Sequence, residues 1–270
     1  MLIQPTLLSI AGSDPSGGAG IQADVKTMTV IGVYGAAAIT CLTVQNSRGV
    51  QEIQPLSAGF VQAQIQAVLE DHDVTHIKIG MTGNAEILYC LANLLRSFAG
   101  EVIYDPVLAA TSGAPLLKTD AFSVLKEKLL PEISYLTPNT SELQLISNTS
   151  ISTKEDAIDC ARLVLNKYPQ MKALVIKGGH LEESELNICD FLVQPGKIIS
   201  ESKRRRIRNP NLHGTGCTYS SALASYLCLG NDAVTAFKLT GEYMDRIITA
   251  GLNTSVATSR SNGPLLHFIP

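Results

Sequence analysis

Charged residues are scarce in this sequence: Asp, Glu, Lys and Arg make up 17% of its 270 residues, against about 25% in an average soluble domain. Hydrophobic residues make up 45%. Disordered chains depart from the average in the opposite direction, so the composition excludes disorder as the main state. The length suits one or two domains. Because the sequence contains neither a linker nor a repeat, we expect a single domain over residues 1–270.

Several long windows contain no charged residue, among them residues 27–47, 106–117 and 209–231. The first and third are as long as a membrane-spanning helix, which needs about 20 mostly apolar residues. Glycines, hydroxyl residues, Gln45 and Pro210 interrupt them, so we expect no membrane segment. The first basic residue is Lys26, and no signal peptide is recognisable. The sequence therefore predicts a cytoplasmic protein.

Neither the net charge nor the cysteines point to nucleic acid or metal. The net charge is −3 and the pI about 6.0, which predicts no nucleic-acid partner. One basic run over residues 203–208 is either a solvated strand edge or a patch for a polyanion. The six cysteines lack C-x-x-C spacing, which argues against a zinc site and a disulfide framework. They are Cys41, Cys90, Cys160, Cys189, Cys217 and Cys228.

Strand-like and helix-like segments alternate along most of the chain. Apolar runs predict strands at 7–11, 36–44, 76–79, 102–104, 134–136 and 173–176. Helical spacing predicts helices at 21–31, 58–70, 84–98, 119–129, 154–168, 217–229 and 233–250. Ser152 and Glu155 form a predicted capping box, and residues 187–193 and 197–202 a predicted antiparallel hairpin. This order indicates a mostly parallel sheet with helices on both faces.

The strongest local signal is H-G-T-G-C-T at residues 213–218, ahead of a helix rich in small residues. Glycines let the backbone approach a ligand, and the free amides of a helix N-terminus attract anionic oxygens. Gly214, Thr215, Gly216 and Cys217 are therefore candidate phosphate-binding residues. The helix dipole is expected to lower the pKa of the Cys217 thiol. The alternative is a tight turn followed by a buried cysteine.

Further polar residues follow the predicted strands, where ligands bind in open α/β sheets. Asp105, Asn139 and Glu142 could hold Mg²⁺ and phosphate, although Asn139 and Glu142 also match a helix cap. Lys177 could reach phosphate or lie exposed in a turn. Gln45 offers an amide to a heteroaromatic ring or is simply solvated. The chain lacks both the Walker and the Rossmann glycine motifs.

The motifs G-S-D-x-S-G-G-A-G-I-Q-A-D, Q-N-S, K-I-G-M, D-P-V, T-P-N-x-x-E, K-G-G-H and H-G-T-G-C-T occur in this order. Together they closely resemble the hydroxymethylpyrimidine/phosphomethylpyrimidine kinases of thiamine biosynthesis, within the ribokinase-like superfamily. The resemblance implies a three-layer α/β/α fold with a small antiparallel edge hairpin. It also implies an ATP-dependent and Mg²⁺-dependent kinase that acts as a homodimer. That kinase phosphorylates 4-amino-5-hydroxymethyl-2-methylpyrimidine and then its monophosphate.

The resemblance assigns roles to individual positions. Gly12, Asp24 and Gln45 would hold the pyrimidine, and Met81 would pack against its ring. Asp105, Asn139 and Glu142 would organise Mg²⁺ and phosphate, and Lys177 would bind the nucleotide phosphates. The amides of residues 214–217 would form the anion hole. Cys217 stands where sugar kinases of the superfamily have an Asp base, so its thiolate would take the proton of the attacking hydroxyl.

Two departures and three rival functions accompany this assignment. Leu212 replaces a Thr found in many relatives, and the run at 203–208 is unusually basic. Pyridoxal kinases are the nearest rivals, but one branch has a lid cysteine that residues 106–117 lack. A sugar kinase would have an Asp in place of Cys217. A catalytically silent pyrimidine-binding module would not need Lys177 and Asp105.

Overall fold

The computed structural model describes residues 4–46, 49–108, 119–178, 187–196, 200–207, 213–252 and 265–269. The strands in these ranges are β1 (Thr6–Ser13), β2 (Tyr34–Asn46), β3 (Gly49–Pro55), β4 (Val74–Ile79), β5 (Glu101–Tyr104), β6 (Tyr135–Leu136), β7 (Ala173–Ile176), β8 (Asn187–Val193) and β9 (Ser200–Arg205). They form one sheet in the order β3-β2-β1-β4-β5-β6-β7-β8-β9. The central six strands are parallel to one another. At the edges, β3 pairs antiparallel with β2, β8 with β7, and β9 with β8.

The helices cover both faces of this sheet. They are α1 (Gly20–Ile31), α2 (Ala58–Asp71), α3 (Ala85–Leu95), α4 (Thr119–Val124), α5 (Thr140–Ser147), α6 (Lys154–Lys167), α7 (Thr215–Cys228) and α8 (Ala233–Ala250). Helices α2, α3, α5 and α6 bury their apolar sides in one core cluster with Leu8 of β1. Helices α1, α7 and α8 do so in a second cluster with Leu7. Neighbouring residues of β1 thus face opposite layers, and the predicted three-layer fold is confirmed.

The structure confirms the predicted hairpin and corrects several smaller predictions. Strands β8 and β9 pair antiparallel, with a turn at residues 195 and 196. Strand β3 was not predicted, and helix α5 was indicated only by its cap at Asn139, because each element is short and rich in polar residues. The capping box of α6 is formed by Thr153 and Asp156 instead of Ser152 and Glu155, since Thr153 is the residue with extended backbone before the helix.

The predicted helix at 119–129 divides into α4 and a π-helical turn at Leu125–Leu129. Most of the segment predicted to follow Asp105 as a lid, together with His180 and Leu212, lies outside the described residues. Among the described helices, none is both long and apolar enough to span a membrane.

Candidate active site

The first turn of α7 lies against the glycine loop that follows β1. Gly214 precedes α7 with a φ of 85°, a left-handed conformation that favours glycine. A Cβ at Gly214 would lie 1.7 Å from the carbonyl oxygen of Gly18, and one at Gly20 would lie 2.2 Å from that of Gly12. The sequence needs glycine at these positions because two backbone segments meet there without room for a side chain. The loop and the helix therefore form one surface.

The N-cap residue of α7 is Gly214, which has no side chain to cap the first turn, in contrast to α5, where the Asn139 side chain accepts from the Glu142 amide. The first amides of a helix have no partner within the helix and carry the positive end of its dipole. The first turn of α7 is thus able to bind anionic oxygens. The predicted anion-hole residues lie together in this turn.

Asp14 holds the glycine loop in shape. Its carboxylate accepts hydrogen bonds from the amides of Ser16 (2.9 Å), Gly18 (3.2 Å) and Ala19 (2.9 Å). It also lies 3.0 Å from Nε2 of His213, the residue before Gly214. Although burial opposes ionisation, the contacts with His213 and Ser16 lower the pKa of Asp14 to about 2. Asp14 is therefore a carboxylate that ties the loop to the start of α7, a role that sequence reasoning did not assign.

Lys177 and Asp105 form a charged pair facing α7. Lys177 Nζ lies 2.6 Å from Asp105 Oδ1 and 4.0 Å from Glu142 Oε2. A Cβ at Gly216 would lie 3.5 Å from Lys177 Nζ and 3.7 Å from Asp105 Oδ2. The pair thus borders the first turn of α7 directly. Lys177 is not the exposed turn lysine of the alternative interpretation, because its side chain is only 16% exposed.

Glu142 serves as a cap and as part of this charged cluster. Its carboxylate accepts from the Asn139 amide at 2.7 Å, and the Asn139 side chain accepts from the Glu142 amide at 2.9 Å. The capping interpretation is therefore confirmed for both residues. Burial raises the pKa of Glu142 to about 7. The neighbouring Asp105 adds to this shift, and Lys177 opposes it. A contact of Asn139 with a nucleotide stays a prediction.

Two carboxylates of this cluster could help to hold Mg²⁺. Both Asp105 and Glu142 already face a cation, the ammonium group of Lys177, so their charge and position suit a second cation shared with phosphate. Among the described residues, no group of three or more His, Cys, Asp or Glu side chains could hold a metal ion by itself. Magnesium bound here would take its other ligands from water and phosphate, as is usual for this ion.

Cys217 differs from the prediction in its proton affinity. The residue is half-buried in the first turn of α7. Burial raises the pKa of the Cys217 thiol to about 11, with Asp24 and Asp105 adding to the shift and Lys78 opposing it. The expected lowering by the helix dipole is wrong for the ligand-free protein, because burial and two carboxylates outweigh it. The thiol is neutral at pH 7.

Asp24 does not have the placement expected of a pyrimidine ligand. Its side chain is fully buried, and its carboxylate lies 2.8 and 2.9 Å from Lys78 Nζ. The hydroxyls of Ser9 and Ser221 donate to the same carboxylate, each at 2.6 Å. With its acceptor positions filled, Asp24 cannot contact a substrate without breaking this cluster, so the predicted direct contact does not fit. The sequence signal for this ion pair was Lys78, a charged residue inside the otherwise apolar run 77–79.

The other predicted pyrimidine residues lie near one another at the ends of β1, β2 and β4. A Cβ at Gly12 would lie 2.8 Å from Cys41 Sγ and 3.5 Å from Met81 Sδ. Gln45 is not simply solvated, because its Nε2 lies 3.2 Å from His213 Nε2. Gly12, Met81 and Gln45 thus border the same loop as α7. Whether they contact a pyrimidine stays a prediction.

The basic run proves to be a strand with two different sides. Lys203 and Arg205 are exposed on β9, as expected of a solvated edge. Arg204 points inward instead and pairs with Asp190 and, at 2.8 Å, with Asp245. Asp190 also accepts from the Gly178 amide at 3.0 Å. Arg204 therefore supports the backbone directly after Lys177, which the sequence did not reveal.

Comparison with known proteins agrees with this arrangement. The model of the phosphomethylpyrimidine kinase family matches residues 14–265. A hydroxymethylpyrimidine/phosphomethylpyrimidine kinase of Rhizobium meliloti (strain 1021) is 40% identical over 262 residues, which cover 97% of this chain and 96% of the relative.

Two solved structures extend the comparison. The crystal structure of phosphomethylpyrimidine kinase from Clostridium difficile 630 has a TM-score of 0.79 at 35% identity, covering 90% of this chain and 99% of that chain. An ADP complex of Bacillus subtilis pyridoxal kinase has a TM-score of 0.84 at 29% identity, covering 98% of each chain. Since the family model and the relative both extend over nearly the whole sequence, the chain belongs to the phosphomethylpyrimidine kinase family.

Proposed function

We propose that this kinase transfers the γ-phosphoryl group of ATP to the hydroxymethyl oxygen of 4-amino-5-hydroxymethyl-2-methylpyrimidine, and then phosphorylates the monophosphate. One observation carries the proposal. The first turn of α7 lies between the Lys177–Asp105 pair on one side and the loop bordered by Gly12 on the other. A phosphoryl group at this turn would have charged partners towards the nucleotide and the glycine loop towards the acceptor.

The nucleotide side supplies charge neutralisation. In phosphoryl transfer, positioning and electrostatic stabilisation provide most of the catalysis. Lys177 would bind the nucleotide phosphates, and Asp105 with Glu142 would hold Mg²⁺ through water. Magnesium, when bound, neutralises phosphate charge. The amides of residues 214–217 would stabilise the charge of the transferring group. That ADP occupies the pyridoxal kinase of Bacillus subtilis supports a nucleotide in a fold of this kind.

The pyrimidine side supplies shape and hydrogen bonds. Gln45 has an amide suited to the nitrogen edge of the ring, and Met81 a flexible apolar side chain suited to its face. Gly12 leaves the backbone open beside Met81, since a side chain there would collide with Cys41. Asp24 is left out of this contact set because it is buried in an ion pair.

Cys217 is the proposed proton acceptor for the first transfer. The acceptor oxygen forms its bond to phosphorus as the bond to the ADP oxygen breaks, and the hydroxyl proton moves to the thiolate. With a pKa of about 11, only about one Cys217 in ten thousand is a thiolate at pH 7. A base role therefore requires a rate that rises with pH. In the second transfer the acceptor is already a phosphate and needs little base catalysis.

A side-by-side assay tests the substrate. The purified protein is incubated with ATP, Mg²⁺ and either hydroxymethylpyrimidine or pyridoxal, and monophosphate and diphosphate products are resolved chromatographically. We expect ATP turnover to depend on the pyrimidine and to yield both products. Stronger turnover on pyridoxal would establish the rival function, which the structural similarity to a pyridoxal kinase keeps as the second candidate. No turnover on either would indicate a silent binding module.

The homodimer, the cytoplasmic location and the dependence on Mg²⁺ stay predictions. The first is testable by light scattering of the purified protein at several concentrations. The last is testable by adding a chelator to the pyrimidine assay and restoring turnover with excess Mg²⁺. We expect turnover to be lost and then recovered, since phosphate charge must be neutralised for transfer.

A further inference from the structure

A fully buried ion pair lies beneath the candidate active site. Lys78 of β4 and Asp24 of α1 are both 0% exposed, and Nζ lies within 2.9 Å of each carboxylate oxygen. Ser9 of β1 and Ser221 of α7 complete the cluster through their hydrogen bonds to Asp24. One carboxylate thus connects four elements, drawn from the sheet and from the helices that cover it.

Stability alone is a poor reason for such a pair. Removing two charges from water is costly, and well-packed apolar residues in their place are often neutral or stabilising. The local sequence is nevertheless built around the pair. Ser9 and Lys78 are neighbours in the parallel register of β1 and β4. A Cβ at Gly80 would lie 3.0 Å from Lys78 Nζ, so glycine at this position leaves room for the ammonium group.

The pair is connected to the first turn of α7 through neighbouring serines. Ser221 lies one turn after Cys217 and donates to Asp24, while Ser220 donates to Asp105 Oδ2 at 3.3 Å. The start of α7 is therefore fixed just after its first turn at two points, one on the ion pair and one on the nucleotide side. The charged groups around Cys217 are Lys78 of β4, Asp24 of α1, Asp105 after β5 and Lys177 after β7.

We propose that Lys78 and Asp24 are positioning residues, which fix the first turn of α7 and balance opposite charges around the Cys217 thiol. The pair acts on the reaction only through Cys217 and the helix, because neither side chain reaches the surface. This inference extends the proposed function by assigning these two buried residues to the control of its proton acceptor.

The opposing charges give the proposal a specific signature. Lys78 lowers the pKa of Cys217, whereas Asp24 raises it. Asp24→Asn keeps the shape of the side chain and leaves the ammonium charge unbalanced, so we expect the thiolate to become more stable. Lys78→Met removes the positive charge, so the thiolate cannot become more stable. A role in packing alone would make both variants change thiol reactivity in the same direction.

Alkylation of Cys217 by iodoacetamide between pH 6 and 10, without substrates, measures this signature. All variants are made in a Cys90→Ser background, since Cys90 is the other cysteine that the structure describes as incompletely buried. Cys217→Ser gives the background rate. At pH 8 we expect at least a tenfold faster reaction in Asp24→Asn, no increase in Lys78→Met, and a rate within threefold of the parent in the double variant. Ser221→Ala, which removes an anchor without charge, should change the rate less than threefold.

Equal directions in the two single variants, or changes below threefold in both, would overturn the proposal. If Lys78→Met does not fold, Asp24→Asn is compared with the double variant, which contains no lone buried charge. If the double variant reacts at nearly the parent rate, the Lys78 charge must have caused the faster reaction of Asp24→Asn. The assay contains no ATP or pyrimidine, so its failure leaves the proposed function intact. Conversely, absence of pyrimidine turnover would refute the function without altering the thiol titration.

Discussion

Alanine at Gly216 should separate the stability of α7 from the chemistry of its first turn. Gly216 is the second residue of α7, and Gly59 is the second residue of α2. Replacing glycine by alanine in a helix stabilises it by up to about 1 kcal/mol. For a protein of this size, that gain raises Tm by about 1–4 °C. Both variants are therefore expected to unfold at a slightly higher temperature than the parent protein.

Only Gly216→Ala should lose activity. Its added methyl group would lie 3.5 Å from Lys177 Nζ and 3.7 Å from Asp105 Oδ2. These are ordinary contacts that the fold tolerates, but the methyl group fills the space proposed for the transferring phosphoryl group. Disrupting one donor of such an anion site costs about 100-fold to 1000-fold in kcat. We expect losses of this size in both transfers, since both use the same anion hole.

Thermal unfolding and product analysis on the same samples provide the test. Gly59→Ala is the matched control, because nothing lies within 4 Å of its added methyl group. It should show the gain in Tm with unchanged turnover. If Gly216→Ala phosphorylates both acceptors within threefold of the parent rate, the anion hole does not lie at this turn. A large fall in Tm would instead mean that α7 has less room than the structure shows.

Three further substitutions have distinct expected outcomes. Gly214→Ala should lower the free energy of unfolding, measured in urea, by about 2 kcal/mol or more. The reasons are the left-handed backbone of Gly214 and the close contact of an added methyl group with Gly18. Unchanged stability would contradict the packing of the loop against α7. Cys217→Ala should damage the first transfer more than the second and abolish its rise with pH towards about 11; equal losses refute a base role. Burial, aided by Lys26, lowers the pKa of His267 from its ordinary value of 6.5 to about 4. The stability this gives is therefore present above pH 6.5 and lost as pH falls towards 4, by about 2 kcal/mol between pH 7 and 5. In urea unfolding, His267→Gln should lose less stability between pH 7 and 5 than the parent protein. An unchanged pH dependence in the variant would rule out this role of His267.

Periodicity predicted the fold because the elements that build the core have long and regular patterns. Helix α8 was predicted with its observed bounds, and the central parallel strands follow the apolar runs. Strand β3 was missed because all of its residues are partly or fully exposed. Helix α5 has eight residues and was recognised only through its cap at Asn139. Short elements that depend on neighbours for their stability carry little signal of their own.

The site was predicted as a set of positions rather than as a set of interactions. Asp105 and Lys177 were named separately, but their ion pair depends on the order of β5, β6 and β7 in the sheet. Asp24 was named as a ligand because a motif does not show which partners surround a carboxylate. The prediction of a lowered pKa for Cys217 was wrong for a similar reason. Burial and nearby charges come from remote segments, whereas the sequence shows only the local helix start.

The packing of Gly214 against Gly18 has a consequence for synthesis of the chain. The two residues lie near opposite ends of the sequence, so this contact forms only when most of the protein has been made. Until α7 and α8 emerge, α1 is the one helix among the described elements that covers the face of the sheet containing Leu7, Ile103 and Val175. Exposed apolar surface of this kind makes incomplete chains prone to aggregate. The phosphate-binding turn is thus among the last parts to assemble, and a prematurely terminated chain has no kinase site.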